Sequence, residues 1–477
     1  MFKLTKYECI LAVVFLLTLP LSNPWVRGDG VGYYAFARAL LIEHNLNFVK
    51  DWQEANPSFR MGRVDAEGYL LPQQYTRTGH VDNHFSIGPA ILWSPFLIVA
   101  HLGVLSYDAL GGLVPADGYS RAYTYAMAFG TALYGFLSLW ISFLLARKYL
   151  PERWAFLATI GIWFASSLPV YMYFNPSWSH AHSAFMVALF VWYWDRTRGT
   201  RTWAQWAGLG AVAGLMLDQY YINGVVLLIP LIESLEHYWR ARRAPFSRPV
   251  GELFIGNILF SAVMIIFFLP TLVTKKIIYG NYLQTGYEHL WDWKSPYLLK
   301  VMFSSEHGLF SWTPVLLFAV VGFFFLRRAD KALARYSAIT FTAFLYVVGS
   351  YVDWHGLSSF GSRFFVSLTV LFVLGLAALV DKAARVWGER RTEWMAVAVT
   401  TALIAWNFGL IFQWGTHLIP ARGPISYRAA AYNQVMVVPV RAAATLKSYL
   451  TRRRQMMGDI EKEDMQQIKS ARPEGTE

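Results

Sequence analysis

Apolar residues in this chain fall in blocks of roughly 17–25 positions, the length a helix needs to cross a bilayer core. Backbone groups inside lipid must be satisfied within their own segment, so such blocks have to be helices. Of the 477 residues, 55% are hydrophobic and only 15% charged, a balance unlike that of ordinary soluble domains. The 20 Trp and 27 Tyr suit aromatic belts at two membrane surfaces. The expected fold class is therefore an all-α multi-pass membrane protein of about 11–12 transmembrane helices.

The net charge of +12 is first a topology signal. Basic residues cluster between apolar blocks, as in short cytoplasmic loops: Arg147/Lys148/Arg153, Arg196/Arg198/Arg201, Arg240/Arg242/Arg243/Arg248, Arg327/Arg328/Lys331/Arg335 and Lys382/Arg385/Arg390/Arg391. No basic face interleaved with stacking aromatics emerges, so no nucleic-acid partner is expected. The lone cysteine, Cys9, excludes an intramolecular disulfide and a cysteine-based zinc site. Lys3 and Lys6 precede the apolar run Cys9 to Leu19, and Pro20-Leu21-Ser22-Asn23-Pro24 is a poor cleavage site, so residues 1–22 read as an uncleaved anchor.

Each interval between neighbouring basic clusters has room for two spans and one outer turn. The pairs are 154–172 with 181–194, 203–218 with 221–236, 251–274 with 309–326, and 336–351 with 361–380. A last span runs from Trp394 to Trp414. With Arg147 inside, the block 118–146 enters from outside, which leaves residues 23–117 as an external loop. Residues 86–105 are apolar enough to cross, yet parity makes them an interfacial or re-entrant helix. Residues 31–46 read as a surface helix, with Tyr33, Phe36, Ala37, Leu40 and Leu41 on one face and Arg38 off it. The membrane domain is expected over 1–420. A C-terminal interfacial segment and polar tail follow over 421–477, with 455–477 disordered. Parity puts this end outside, whereas Arg452-Arg453-Arg454 would prefer the inside.

The inner loops carry little beyond basic residues, while the outer turns hold Asp, His, Asn, Trp and Arg. Chemistry is thus expected at the outer face. Asp29, in Arg27-Gly28-Asp29-Gly30, is costly to place at the lip of a membrane helix, which marks it as functional. It suits a general base that takes a proton from an acceptor hydroxyl. It equally suits the N-cap of a helix starting near Val31. Arg363, in Phe360-Gly361-Ser362-Arg363-Phe364, runs against the positive-inside trend and can grip phosphate bidentately. His180, at the start of a span, is a candidate donor to a phosphate oxygen. Lys275 can serve the same electrostatic role with Lys276. His355, in Asp353-Trp354-His355-Gly356, and Glu306, in Ser304-Ser305-Glu306-His307-Gly308, complete the outer polar set with Tyr33, Asn83 and His84. His80, Asp82 and His84 alternate as metal ligands on a strand can, though a solvated loop explains them equally. No metal ligand set is assigned, and a divalent cation stays open as a cofactor.

The order of a first span, an acidic residue, Gly30-Val31-Gly32-Tyr33-Tyr34-Ala35 and a surface helix resembles the bacterial GT-C glycosyltransferases related to protein O-mannosyltransferases and lipid A aminoarabinose transferases. Gly88-Pro89-Ala90-Ile91-Leu92-Trp93-Ser94-Pro95 fits the surface helix that follows in them. Gly308-Leu309-Phe310-Ser311-Trp312-Thr313-Pro314 and the Trp354 to Phe364 region are similar to a late signature of bacterial relatives. Many relatives carry a second acid where Gly28-Asp29-Gly30 stands; here it is absent. The resemblance implies transfer of one sugar from a polyprenyl-phosphate donor to an acceptor lipid, glycan or protein. It places the enzyme in the cell (inner) membrane, with the active site facing the periplasm or exterior. The alternatives are a lipid-linked glycan polymerase or ligase, and a lipid or solute transporter, which would place polar groups at the midplane of broken helices.

Overall fold

A computed structural model describes residues 4–241 and 248–470. Lys3, Arg242, Arg243 and the end of the tail lie outside the described residues. Among those described there is no strand, only three isolated bridges. The helices are α1 Lys6–Thr18, α2 Asp29–Arg38 (prolonged by a π-turn, Ala39–Glu43), α3 Val49–Gln53, α4 Pro57–Arg60, α5 Gly88–Ala109, α6 Arg121–Tyr149 and α7 Glu152–Ala165. They continue as α8 His180–Thr197, α9 Trp203–Gln219, α10 Leu228–Ala241, α11 Arg248–Tyr279, α12 Leu298–Phe303, α13 Leu309–Trp312, α14 Val315–Leu326 and α15 Lys331–Ser350. The last are α16 Thr369–Trp387, α17 Glu389–Gly415, α18 Tyr427–Met436, α19 Val438–Thr451 and α20 Arg453–Ser470.

Six described helices are long and apolar enough to cross a membrane: Gly88–Ala109, Arg121–Tyr149, Val250–Tyr279, Lys331–Ser350, Arg363–Trp387 and Glu389–Gly415. Several other segments are interrupted. A π-turn at Val170–Phe174 follows α7, a 3-10 turn at Tyr221–Leu227 precedes α10, and Thr313-Pro314 breaks α13 from α14, since proline cannot supply the helical amide.

One end of the bundle is stitched by ion pairs between helix termini. Arg147 reaches Glu8 and Glu152 at 3.2 Å each, Lys148 reaches Asp195 at 2.7 Å, and Arg198 reaches Asp330 at 2.5 Å. Arg201 pairs with Glu233 at 2.8 Å, Arg335 with Glu236 and Arg153 with Glu389. The side chains of Glu8, Asp195, Arg201 and Glu233 are the buried members of this set, and buried charge is costly unless paired. The basic clusters therefore share one end, and α1, α6 to α11, α13 with α14, and α15 to α17 alternate in direction between it and the opposite, outer end.

The first loop folds at the outer end around its own small core of Phe36, Phe48, Trp52, Val81, Phe85 and Trp93. α2 is buried from Gly30 through Arg38. The off-face position expected for Arg38 is corrected here. Arg38 is 1% exposed because α3 brings Asp51 to its Nε and Nη2 at 2.5 and 2.6 Å, and Glu43 takes Nη1 at 2.7 Å. α5 runs antiparallel to the outer half of α6: Trp93 Nε1 donates to Thr131 Oγ1 at 2.8 Å, and His101 meets Tyr123 at 2.7 Å. It begins where Ser86 donates to the Gln219 carbonyl at the end of α9, at 3.0 Å.

Of residues 455–477, expected to be disordered, 471–477 lie outside the described residues and 455–470 belong instead to α20. Its acidic face finds specific partners. Glu461 accepts from the Ser58 amide at 2.6 Å and Asn56 at 2.9 Å, and Asp464 pairs with Arg27 at 2.5 Å. Arg453 donates to the carbonyls of Ser22 and Pro20 at the outer end of α1. The arginine triplet thus sits at the end of the bundle opposite the five basic clusters.

Candidate active site at the outer end of the bundle

The segment joining α1 to α2 must turn sharply to bring a carboxylate over the bundle. Gly28 makes the turn at φ +53°, a region open to glycine at little cost. Its neighbour Gly30 has no room for more: an added Cβ would lie 1.9 Å from Ser177 Oγ. α2 starts at Asp29 itself, with Gly28 at the N-cap and no side-chain cap, so the N-cap role expected for Asp29 is not the one it has. Standing in the first helical turn, the carboxylate keeps a favourable interaction with the helix dipole and is free to bond elsewhere.

Its partner is Arg363, at the start of the 3-10 turn that leads into α16. Nη1 of Arg363 donates to Asp29 Oδ2 at 2.5 Å. The guanidinium lies over the Trp178 ring, 4.6 Å from its centroid, and Trp178 is fixed by donating its Nε1 to the Arg27 carbonyl at 3.0 Å. The sequence around Asp29 thus holds the tryptophan that supports the arginine that binds Asp29. The two side chains differ in exposure, 11% for Arg363 and 32% for Asp29, so the carboxylate is the more accessible partner. Arg363 Nε is buried and has no hydrogen-bond partner among the described residues.

Aromatic rings enclose the pair. Tyr33, Tyr171 and Tyr220 lie within electrostatic reach of Arg363. Tyr220 stacks on Phe364 at 6.4 Å, Tyr351 meets Phe364 edge-on at 6.0 Å, and Tyr287 meets Tyr351 at 6.4 Å. Tyr33 contacts Phe85 at 4.8 Å; burial pushes its phenol pKa up, with the Asp29 charge adding to the effect, so it stays a neutral donor. Residues 171, 178, 220, 287 and 351 were not singled out from the sequence. The aromatic-belt pattern hid them, because ring content at helix ends does not show which rings turn inward.

His180 sits at the first position of α8, 2% exposed. It packs against Tyr171 at 4.6 Å and Tyr220 at 5.5 Å, with Nδ1 unpartnered. It belongs to the same constellation behind Arg363. His355 and Glu306 meet at 3.8 Å on the other side, where the Gly356 position closes on Arg363 Nε. Between them His307 is 1% exposed; burial pushes its imidazole down to about 3, with the neighbouring His355 and Arg363 charges acting the same way.

Lys275, Asn83 and His84 make their contacts within the protein. Lys275 is 2% exposed, and its ammonium donates to the carbonyls of Asn83 and Phe85 at 3.0 and 2.9 Å. Asn83 is fully buried and donates to the Gly32 carbonyl at 3.0 Å. Together they clamp the 82–86 loop to α2 and α11. His84 packs between Phe85 at 4.2 Å and Tyr287 at 4.9 Å, and burial drives its pKa well below the ordinary value, so it is neutral near pH 7. The metal alternation also disperses: His80 bonds Thr78 at 3.0 Å, and Asp82 accepts from Tyr279. No group of three metal-binding side chains occurs among the described residues.

No family model matches the chain, and no curated protein does. Among solved structures the chain is similar to ArnT from Cupriavidus metallidurans in the apo state, with 14% identity, 86% of this chain and 71% of that chain covered, and a TM-score of 0.47. It is also similar to the archaeal oligosaccharyltransferase AglB from Archaeoglobus fulgidus, in complex with an inhibitory peptide and a dolichol-phosphate, with 13% identity, 91% of this chain covered and a TM-score of 0.41. The apo Archaeoglobus fulgidus oligosaccharyltransferase gives 14% identity, 91% of this chain covered and a TM-score of 0.42. The chain spans 54% of the length of both archaeal proteins.

Proposed function

We propose that the protein is a membrane glycosyltransferase of the GT-C type. It moves a single sugar from a polyprenyl-phosphate donor to an acceptor hydroxyl on the extracytoplasmic side. The observation that carries this reading is the Asp29–Arg363 pair, 2.5 Å apart at the outer end of an apolar helical bundle.

The chemistry needs two functions side by side. A polyprenyl phosphate leaving an anomeric carbon is already a weak base, so it requires cationic stabilisation and no general acid. Arg363 has donors left after serving Asp29. The acceptor hydroxyl needs its proton removed as the oxocarbenium-like centre develops, and Asp29 offers a second carboxylate oxygen to it. In the step, the acceptor oxygen bonds to the anomeric carbon and the proton passes to Asp29. The bond from carbon to phosphate oxygen breaks, its electron pair leaving with the phosphate held by Arg363. Attack opposite the phosphate inverts the anomeric configuration. The rings of Tyr33, Tyr220 and Tyr351 give a sugar apolar faces to lie against.

Incubation of purified protein with a panel of polyprenyl-phosphate sugars, followed by mass analysis, tests the reading. Single-sugar transfer with inversion supports it. Transfer of an intact oligosaccharide, retention of configuration, or solute movement without transfer contradicts it.

A further inference from the structure

A cavity of about 1520 Å³, whose lining does not include Asp29 or Arg363, lies between the end of α1, the first loop, the outer half of α6, and α19 with α20. Its walls differ in character. One is apolar and built on a helix long enough to cross a membrane, where Tyr125 and Phe129 of α6 are 54% and 44% exposed. Leu19 of the 3-10 turn after α1 and Leu450 of α19 continue this wall. The other is cationic. Arg121, Arg452 and Arg454 line it, all three are exposed, and none has an ion-pair partner among the described residues. The lining acids are mostly engaged. Asp51 is held by Arg38 and Glu461 Oε1 by Asn56 and the Ser58 amide; among the described residues Glu461 Oε2 and Glu54 have no such partner.

Three unpaired guanidiniums at the outer face run against the usual distribution of positive charge in membrane proteins. Arg453, in the middle of the triplet, is spent on the carbonyls of Pro20 and Ser22, which fixes α20 to α1 and aims its neighbours at the cavity rim. Guanidinium groups match phosphate oxygens in pairs, while exposed rings on a spanning helix match hydrocarbon chains. We infer that this cavity is a binding site for a membrane glycerophospholipid with an anionic phosphate head. The head lies among Arg121, Arg452 and Arg454, and an acyl chain runs along Tyr125 and Phe129. The site is separate from the Asp29–Arg363 pair and does not depend on the reaction proposed for it.

The experiment is native mass spectrometry and lipid titration of the full chain with three probes: phosphatidylglycerol, phosphatidylcholine with the same chains, and inorganic phosphate. Phosphatidylglycerol is expected to bind at least about tenfold more tightly than phosphatidylcholine, with no retention of inorganic phosphate. The triple variant R121Q/R452Q/R454Q is expected to remove that preference, and the arginine-to-lysine triple to keep most of it. F129A trims the exposed apolar wall without touching charge and is expected to weaken both lipids alike. Equal binding of the two lipids by the native protein, an undiminished preference in the glutamine triple, or retention of phosphate without a chain would each overturn the assignment.

Discussion

The Asp29 carboxylate and the Arg363 guanidinium meet at 2.5 Å across 334 positions of sequence. Neither residue is held by chance. Asp29 is placed by a glycine turn and a helix start, and Arg363 by the face of Trp178, itself bonded to the carbonyl of Arg27. The proposed transfer chemistry needs both charges in register.

Arg363→Lys keeps the charge and loses the planar fork. Its kcat is expected to fall about 10²–10³-fold, as when one transition-state donor is removed. Single-turnover kinetics at saturating donor checks this; a change confined to KM would place Arg363 in ground-state binding only.

Trp178→Ala removes the platform under Arg363 and the bond to the Arg27 carbonyl. Cation–π support is about 0.5–2 kcal/mol, so activity is expected to drop about tenfold or somewhat more. Trp178→Phe, which retains a ring but no N–H, should fall between the native protein and the alanine variant. Equal activity in all three would remove Trp178 from the site.

Gly30→Ala forces a methyl group onto Ser177. Overpacking of this kind costs about 1–3 kcal/mol. A lower thermal midpoint is expected, partly restored by pairing with Ser177→Gly; an unchanged midpoint would show that the turn is loose.

Docking of α20 should depend on pH through His417. Burial works against its charged form, but Asp464 at 2.9 Å and Glu463 at 2.6 Å outweigh it and raise the pKa above the ordinary value. A raised folded-state pKa gives stability that is complete below the unfolded value and lost as pH climbs through the folded one. Asp464 has the opposite sign: burial opposes its charge, yet His417 and Arg27 lower its pKa, so its contribution fades only at acid pH. Hydrogen exchange across 453–470 is therefore expected to quicken from neutral to alkaline pH, beyond the intrinsic rate change. His417→Gln should abolish that dependence. A flat corrected profile in the native protein would contradict the pairing.

Much of this arrangement is readable in the sequence, and the failures have physical causes. Block length and basic clusters locate the bundle and its two ends because hydrophobic burial and charge placement act over whole segments. Asp29 and Arg363 stand out since each violates the local rule for its position. Their pairing is invisible, as it depends on how the turn before α16 comes to lie beside the start of α2. The partners of Lys275 are hidden for a related reason: they are the main-chain carbonyls of Asn83 and Phe85, which have no sequence signature. The polar stretch after Arg453 reads as disordered on composition, yet Glu461 and Asp464 fold it by reaching specific donors in the first loop.

The most direct measurement compares Asp29→Asn with the native protein, expressed to the same level, in transfer from a polyprenyl-phosphate sugar that the native protein accepts. Loss of about 10²–10⁴-fold in kcat, the range for a general base, with donor binding retained is the expected result. Native-like turnover by the asparagine variant would contradict the role assigned to Asp29 and, with it, the proposed mechanism.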